Sequence, residues 1–460
     1  MSSAKFPAAV FKAYDIRGTV PEQLNARFAF RLGLALAHQA QQQGVQQMVI
    51  GYDGRHSSPE LAEALQQGLN QGGIEAFDLG LVPTPVVYFA AHHLRTGSGV
   101  AITGSHNPSN YNGFKMMLGG KTLHGADIEA LHQLMEGDLP TASIPAIRSA
   151  RDLKEDYLQA VTDRVKLERP LRVAIDCGNG ATGVLAESLF RRLGCEVVML
   201  YDTVDGNFPH HHPDPAVPDN LADLIAAVRT HQCDLGLAFD GDGDRLGVVT
   251  PQAEIIWPDR QLILFAQDIL TRLPGSTIIY DVKCSRHVGL AVKAAGGVPL
   301  MWQTGHSLIK AKLAETGAPL AGEMSGHIFF AERWFGFDDG LYTGARLLEI
   351  LSRHPEPAAI LSALPKDRST PELKIDMQEG EPHAFVQELK KADFPSAQQR
   401  VLIDGIRAEY ADGFGLARAS NTTPVVVLRF EADNDNALQR IKDEFRQAIL
   451  SLRPDLKLPF

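Results

Sequence analysis

The chain runs to 460 residues, with 44% hydrophobic and 22% charged residues and a formal net charge of −11. At about 150 residues per domain, that length implies roughly three or four separate cores. The acidic balance argues against nucleic acid or a membrane surface as a partner, since both demand basic patches, and any anionic ligand must be met by local clusters of Arg and Lys.

From Met1 to Gly18 there is no uninterrupted apolar stretch of the signal-peptide kind, and no run approaches the roughly 18 apolar residues of a membrane span. Three later segments share one order of signals. Each opens with an apolar strand ending in Asp: Met48 to Asp53, Val173 to Asp176, and Ile278 to Asp281. A helical stretch closing in glycine follows each (Gly73, Gly194, Gly297), then a second strand, a second helix and a third strand: Val100 to Thr103, Leu235 to Phe239, and Leu320-Ala321. A fourth, hairpin-like strand is expected at Phe114 to Leu118, Leu246 to Val249 and Ile328 to Phe330. Strands alternating with amphipathic helices indicate α/β units with mainly parallel sheets. Beyond a linker at Pro365 to Pro371, strands at Val401 to Ile403, Phe414 to Ala419 and Val425 to Phe430 lack crossover helices, and a helix from about Asn436 to Leu450 closes the chain. The expected fold is therefore three related α/β domains (1–150, 151–254, 255–366) with mixed, mainly parallel sheets, plus a smaller α+β domain (367–460), around a central cleft. The cysteines Cys177, Cys195, Cys233 and Cys284 are dispersed, without C-x-x-C spacing, which fits a reducing, cytoplasmic setting.

Ligands of α/β sheets gather beyond the carboxyl ends of the strands. The loops after the three third strands are Thr103 to Pro108, Asp240 to Arg245, and Gly322 to His327, so they can converge on one cleft. The first sets the Ser105 hydroxyl on a surface turn, with His106 as an orienting donor. The second sets Asp240, Asp242 and Asp244 at alternate positions, where three carboxylates repel one another unless a cation joins them. An EF-hand would want Gly at the sixth position and Glu at the twelfth, where Arg245 and Pro251 stand. A haloacid-dehalogenase-type phosphotransferase, with Asp240 as nucleophile, is a rival that leaves the Ser105 loop unexplained. Gly178 to Gly183 matches the dinucleotide pattern G-x-G-x-x-G, but Asp176 at the strand end would repel a pyrophosphate, so close βα packing is the better reading than an NAD-dependent dehydrogenase. His210-His211-His212 suits a surface or interdomain loop better than Zn²⁺. Arg418 to Pro424 offers one cation and several hydroxyl and amide donors, which suits a phosphate or an ordinary polar turn.

The hexapeptide Thr103-Gly104-Ser105-His106-Asn107-Pro108, followed by Tyr111 to Lys115, the Asp240 loop, Gly322 to Gly326 and Arg418 to Pro424 resemble the motifs of the α-D-phosphohexomutase superfamily, bacterial phosphomannomutase/phosphoglucomutase branch. The likeness runs over essentially the whole length, from Tyr14-Asp15-Ile16-Arg17-Gly18 onward. The resemblance implies a phosphorylated Ser105 and one Mg²⁺ per site, held by Asp240, Asp242, Asp244 and a phosphoserine oxygen. It implies sugar recognition through Glu323 and Ser325, and capture of the idle phosphate by Arg418, Ser420, Asn421 and Thr422. Tyr14, Arg17, Lys115, Arg245, Lys283, Thr304, Gly305, His306 and His327 fall on other cleft positions, with His327 or Lys283 as the base. The implied reaction is reversible phosphoryl transfer between the 1- and 6-positions of glucose and mannose phosphates, activated by glucose 1,6-bisphosphate or mannose 1,6-bisphosphate, in a monomer. Related phosphoglucosamine mutases usually carry Gln at Met324, which disfavours that alternative. The bisphosphate must turn over between half-reactions, so the last domain is expected to move on the linker near Lys366 to Thr370.

Overall fold

Apolar strands that end in aspartate, or run straight into one as Gln47–Tyr52 does into Asp53, recur in all three α/β units of the computed structural model, which describes residues 6–421 and 423–460. In the first unit the strands Gln47–Tyr52, Glu75–Leu81 and Gly99–Ile102 are parallel, and Tyr111–Leu118 folds back antiparallel to the third. The second repeats this with Arg172–Asp176, Glu196–Leu200, Leu235–Phe239 and Leu246–Val249, the third with Thr277–Asp281, Val298–Trp302, Leu320–Gly322 and Ile328–Phe330. All three sheets share one spatial order of fourth, third, first and second strand. Helices cover both faces, so a strand such as Leu235–Phe239 is buried at every position and reads as a continuous apolar run. The order puts each third strand centrally, with its loop beside the hairpin that returns from it.

The first sheet has additions that the repeat did not announce. Ile16–Thr19 pairs antiparallel with Tyr111 to Phe114, which carries the Tyr14–Gly18 segment to the carboxyl end of the sheet. Arg148–Ala150 extends the far edge beside Glu75–Leu81.

The C-terminal domain departs most from expectation. Within the expected linker, Arg368–Ser369 pairs with Ala432 and Glu431 on the long strand Val425–Ala432. Leu373–Asp376 also joins that strand, and a helix, Glu381–Leu389, follows. The strand expected at Val401 to Ile403 lies earlier, at Gln399–Val401, since Leu402 and Ile403 are exposed on a turn. An unforeseen strand, Ile406–Tyr410, lies between it and Gly413–Ala419. Its sequence disguises it: Arg407 is charged yet fully buried, with its guanidinium 3.5 Å from the centre of the Phe414 ring and donating to the carbonyls of Val282 and Cys284, both at 2.6 Å.

Candidate active site

Ser105 follows the fully buried strand Gly99–Ile102 and adopts φ +49°, a left-handed conformation uncommon for serine. Asp53 and Arg55 impose it. Asp53 accepts from Arg55 Nε at 3.2 Å, Thr103 Oγ1 at 2.9 Å and the Gly104 amide at 3.1 Å. Arg55, itself buried, donates to the carbonyls of Ser105, Asn107, Pro108 and Tyr111 at 2.8, 2.6, 2.5 and 3.0 Å. The surface turn expected for Ser105 is a correction: the residue is 1% exposed, because the Asp240 loop closes over it. Its hydroxyl donates to Asp240 Oδ2 at 3.0 Å and lies 3.1 Å from His106 Nδ1. Burial, reinforced by Arg245 and Arg17, holds His106 well below the usual imidazole range and so neutral. Arg17 bonds Asn107 of the same loop and pairs with Asp15.

Asp240, Asp242 and Asp244 are fully buried, and one oxygen from each lies within 4.8 Å of the others. Burial and mutual repulsion push the Asp240 carboxyl well above its ordinary range. Asp242 stays low against the same burial because Lys115 Nζ lies 2.8 Å away and Thr84 Oγ1 donates at 2.5 Å. Lys115 also bonds Asp244; burial alone would depress its ammonium, but the two carboxylates raise it well above the usual range. Asp242 Oδ1 and Asp244 Oδ1 are buried without a hydrogen-bond partner. Three all-oxygen donors with unused lone pairs fit a hard divalent cation. Arg245 stands 3.8 Å from Asp240 and donates through Nε to His327 Nε2 at 3.0 Å.

The third and fourth domains supply the rest. Glu323, 2% exposed, accepts from the Gly305 amide and the Ser325 hydroxyl, both at 2.9 Å. Gly305 has φ +138°, and a Cβ there would stand 2.6 Å from the Tyr14 ring, so glycine is required. Tyr14 donates to the Thr304 carbonyl at 2.7 Å and receives a bond from Asn421. Asp404 joins the Thr304 amide at 3.0 Å to Arg418 Nε at 2.9 Å. The His306 ring lies between these groups, 5.7 Å from His327 and 6.2 Å from Tyr14. Ser420 accepts from Thr423 within the same loop, and Thr422 lies outside the described residues. Lys283 is drawn toward the last domain, with Nζ 2.7 Å from Glu372; burial opposes its charge but Glu372 and Asp281 raise it above the usual range.

The two decoys resolve into packing. A Cβ on Gly180 would stand 2.8 Å from the Gly241 carbonyl, and one on Gly183 2.0 Å from that of Asp202, so Gly180 seats the Asp240 loop and Gly183 the segment at Asp202. The triple histidine is interdomain: His212 bonds the His106 carbonyl, His211 pairs with Asp176 at 3.0 Å, and His210 contacts Asn179 at 2.8 Å. Arg55, Asp404, Glu372 and Asp338 were not foreseen. The repeated strand-end aspartates were a usable signal, since Asp281 accepts from Met324 and Thr304 much as Asp53 accepts from Gly104 and Thr103.

A serine against a buried cation cradle, with Lys115 and Arg245 paired to the same carboxylates in an otherwise acidic chain, defines an enzyme that moves phosphoryl groups. The chain belongs to the phosphoglucomutase/phosphomannomutase family: models of its alpha/beta/alpha domains I, II and III match residues 8–140, 155–253 and 257–367, and that of its C-terminal domain matches 372–448. A phosphomannomutase/phosphoglucomutase of Pseudomonas putida is 52% identical over 459 residues, 99% of each chain. A phosphoglucomutase of Neisseria gonorrhoeae is 52% identical over 453 residues, 98% of each. The crystal structure of a family protein from Burkholderia thailandensis superposes with a TM-score of 0.93 at 51% identity, covering 98% of this chain and 99% of that one. The protein is thus a phosphohexomutase, an isomerase of a metal-dependent family. No helix among the described residues is long and apolar enough to cross a membrane.

Proposed function

We propose that the protein interconverts the 1- and 6-phosphates of glucose and of mannose through a phosphoryl group carried on Ser105 and a hexose 1,6-bisphosphate. The observation that carries this reading is the 3.0 Å hydrogen bond from the Ser105 hydroxyl to Asp240 within the buried carboxylate triad. Asp240, Asp242 and Asp244 are the residues to hold Mg²⁺, which when bound neutralises charge on the transferring phosphoryl group. Lys115 and Arg245 add fixed positive charge beside Ser105. His327 is the base for the incoming sugar hydroxyl, through Nε2, where Arg245 now donates. Lys283 fits that role poorly, because Glu372 keeps its ammonium charged. It serves better with Arg418, Ser420, Asn421 and Thr422 in gripping the phosphate that is not being transferred.

Glu323 and Ser325 grip O3 and O4, which glucose and mannose present alike, so C2 goes unread. Glucose 1,6-bisphosphate or mannose 1,6-bisphosphate loads the serine and acts as activator. The protein works as a cytoplasmic monomer, with domain boundaries near 150, 254 and 366. A coupled assay with Mg²⁺ and catalytic glucose 1,6-bisphosphate tests the reading. Glucose 1-phosphate and mannose 1-phosphate should have kcat/KM values within about tenfold, or ~1.4 kcal/mol. Turnover confined to glucosamine 1-phosphate would replace it with the phosphoglucosamine mutase alternative.

A further inference from the structure

We propose that Asp338, backed by Lys310, is a positioning residue that sets the tautomer and ring orientation of His327. The inference rests on the reading of His327 as the base. Arg245 Nε donates to His327 Nε2 at 3.0 Å, and a guanidinium has no lone pair to offer. Nε2 is therefore the acceptor, and the ring proton of neutral His327 sits on Nδ1. Two carboxylates face that nitrogen: Asp338 Oδ2 at 3.0 Å and Asp244 Oδ1 at 3.5 Å, neither in a linear hydrogen bond. Asp244 belongs to the cation cradle and is held by Lys115, which leaves Asp338 as the carboxylate free to serve the imidazole.

Asp338 is built for that purpose. It is fully buried, and its second oxygen takes Lys310 Nζ at 2.9 Å. The same ammonium lies 4.2 Å from the centre of the Tyr88 ring, so Lys310 is held in place as well. A backbone bridge ties Asp338 to Phe329, two residues after His327, and its neighbour Asp339 caps the helix Gly340–Ser352. Base and orienter are thus fixed by one short piece of chain.

In the transfer step the sugar oxygen bonds phosphorus as the bond from phosphorus to Ser105 Oγ breaks; the sugar hydroxyl proton goes to Nε2, and Oγ keeps the bonding pair and leaves as an alkoxide within the carboxylate cradle that would hold the cation. The Nδ1 proton stays where it is, facing Asp338, which keeps the ring turned with Nε2 toward the sugar hydroxyl. The reverse half-reaction returns the Nε2 proton to the sugar oxygen. Asn at 338 cannot do this: an amide oxygen turned toward Nδ1 leaves the amide nitrogen against the Lys310 ammonium, and the opposite flip offers Nδ1 a donor.

The test is a double-mutant cycle in the coupled assay. D338N should lower kcat about 100-fold with KM for glucose 1-phosphate within about threefold, the scale of a lost acid–base contribution. In an H327A background, D338N should change the residual kcat by less than about threefold. An equal loss in both backgrounds would mean a structural role and overturn the proposal. So would D338N within about threefold of wild type while H327A has fallen about 100-fold, and in that case the base reading stands. H327A close to wild type would remove the base reading and this inference together. ¹⁵N spectra of histidine-labelled wild type, assigned by the signal lost in H327A, need no folded Asp338 variant. They should show a protonated Nδ1, and a protonated Nε2 would refute the proposal.

Discussion

At the scale of single residues, Arg55 has the largest structural consequence in the Ser105 loop. One guanidinium satisfies four carbonyls and neutralises buried Asp53, and its planar fork allows what a lysine ammonium cannot. R55M should lower unfolding free energy by about 3–5 kcal/mol in urea titrations, because it strands a buried carboxylate, and R55K should recover little of it. A loss below about 1 kcal/mol for R55M would show that the loop does not depend on this clamp. The contrast with Ser105 marks how far sequence carries. The hexapeptide, the alternate aspartates and the Gly322 loop were legible because the chemistry of a phosphoryl site is concentrated in contiguous motifs. Arg55, Asp404 and Asp338 were not, since each acts through partners 50 or more residues away or across a backbone bridge. The burial of Ser105 was missed for the same reason: the chain that covers it comes from the second domain.

At the scale of elements, the three-fold order of strands could be read because apolar period and terminal Asp recur in each unit. The C-terminal strand Ile406–Tyr410 could not, as its second residue, Arg407, is buried against another domain. The helix Gly340–Ser352 gives an element-level prediction. Its cap, Asp339, accepts from the Tyr342 amide and from the Tyr157 hydroxyl of the second domain, both at 2.9 Å. Burial pushes its carboxyl up to about 7, with Asp338 adding to the rise. A folded pKa above the unfolded one means the native state holds a proton that the unfolded chain has released. The stability this contributes is present at low pH and is lost as pH rises from the ordinary carboxylate range through about 7. Asn keeps the capping oxygen without the charge. D339N should therefore lose less stability than wild type between about pH 5 and pH 7.5 in urea titrations. Parallel profiles for the two proteins would show that Asp339 does not titrate in that window.

At the scale of the whole molecule, one continuous apolar core runs through the first three domains, while the last has its own, from Ile375 to Ile449. The seam between third and fourth domains is mixed: Ser285 and Lys283 meet Glu431 and Glu372, both at 2.7 Å, and Arg407 reaches two carbonyls, beside a small apolar cluster of Val282, Phe414 and Leu416. A small, mixed seam opens at lower cost than the continuous core of the first three domains, so the last domain is the part expected to move. A bisphosphate that must turn over requires such motion. Small-angle scattering should show a smaller radius of gyration with glucose 1,6-bisphosphate than without, and identical profiles would count against domain closure. The central claim is that Ser105 carries the phosphoryl group, and it is tested most directly by peptide mass spectrometry after incubation with glucose 1,6-bisphosphate and Mg²⁺. The account predicts a hydroxylamine-stable phosphate on the peptide containing Ser105, absent in S105A, which should also retain less than about a few per cent of wild-type turnover. A hydroxylamine-labile phosphate on the Asp240 peptide, with Ser105 unmodified, would contradict it.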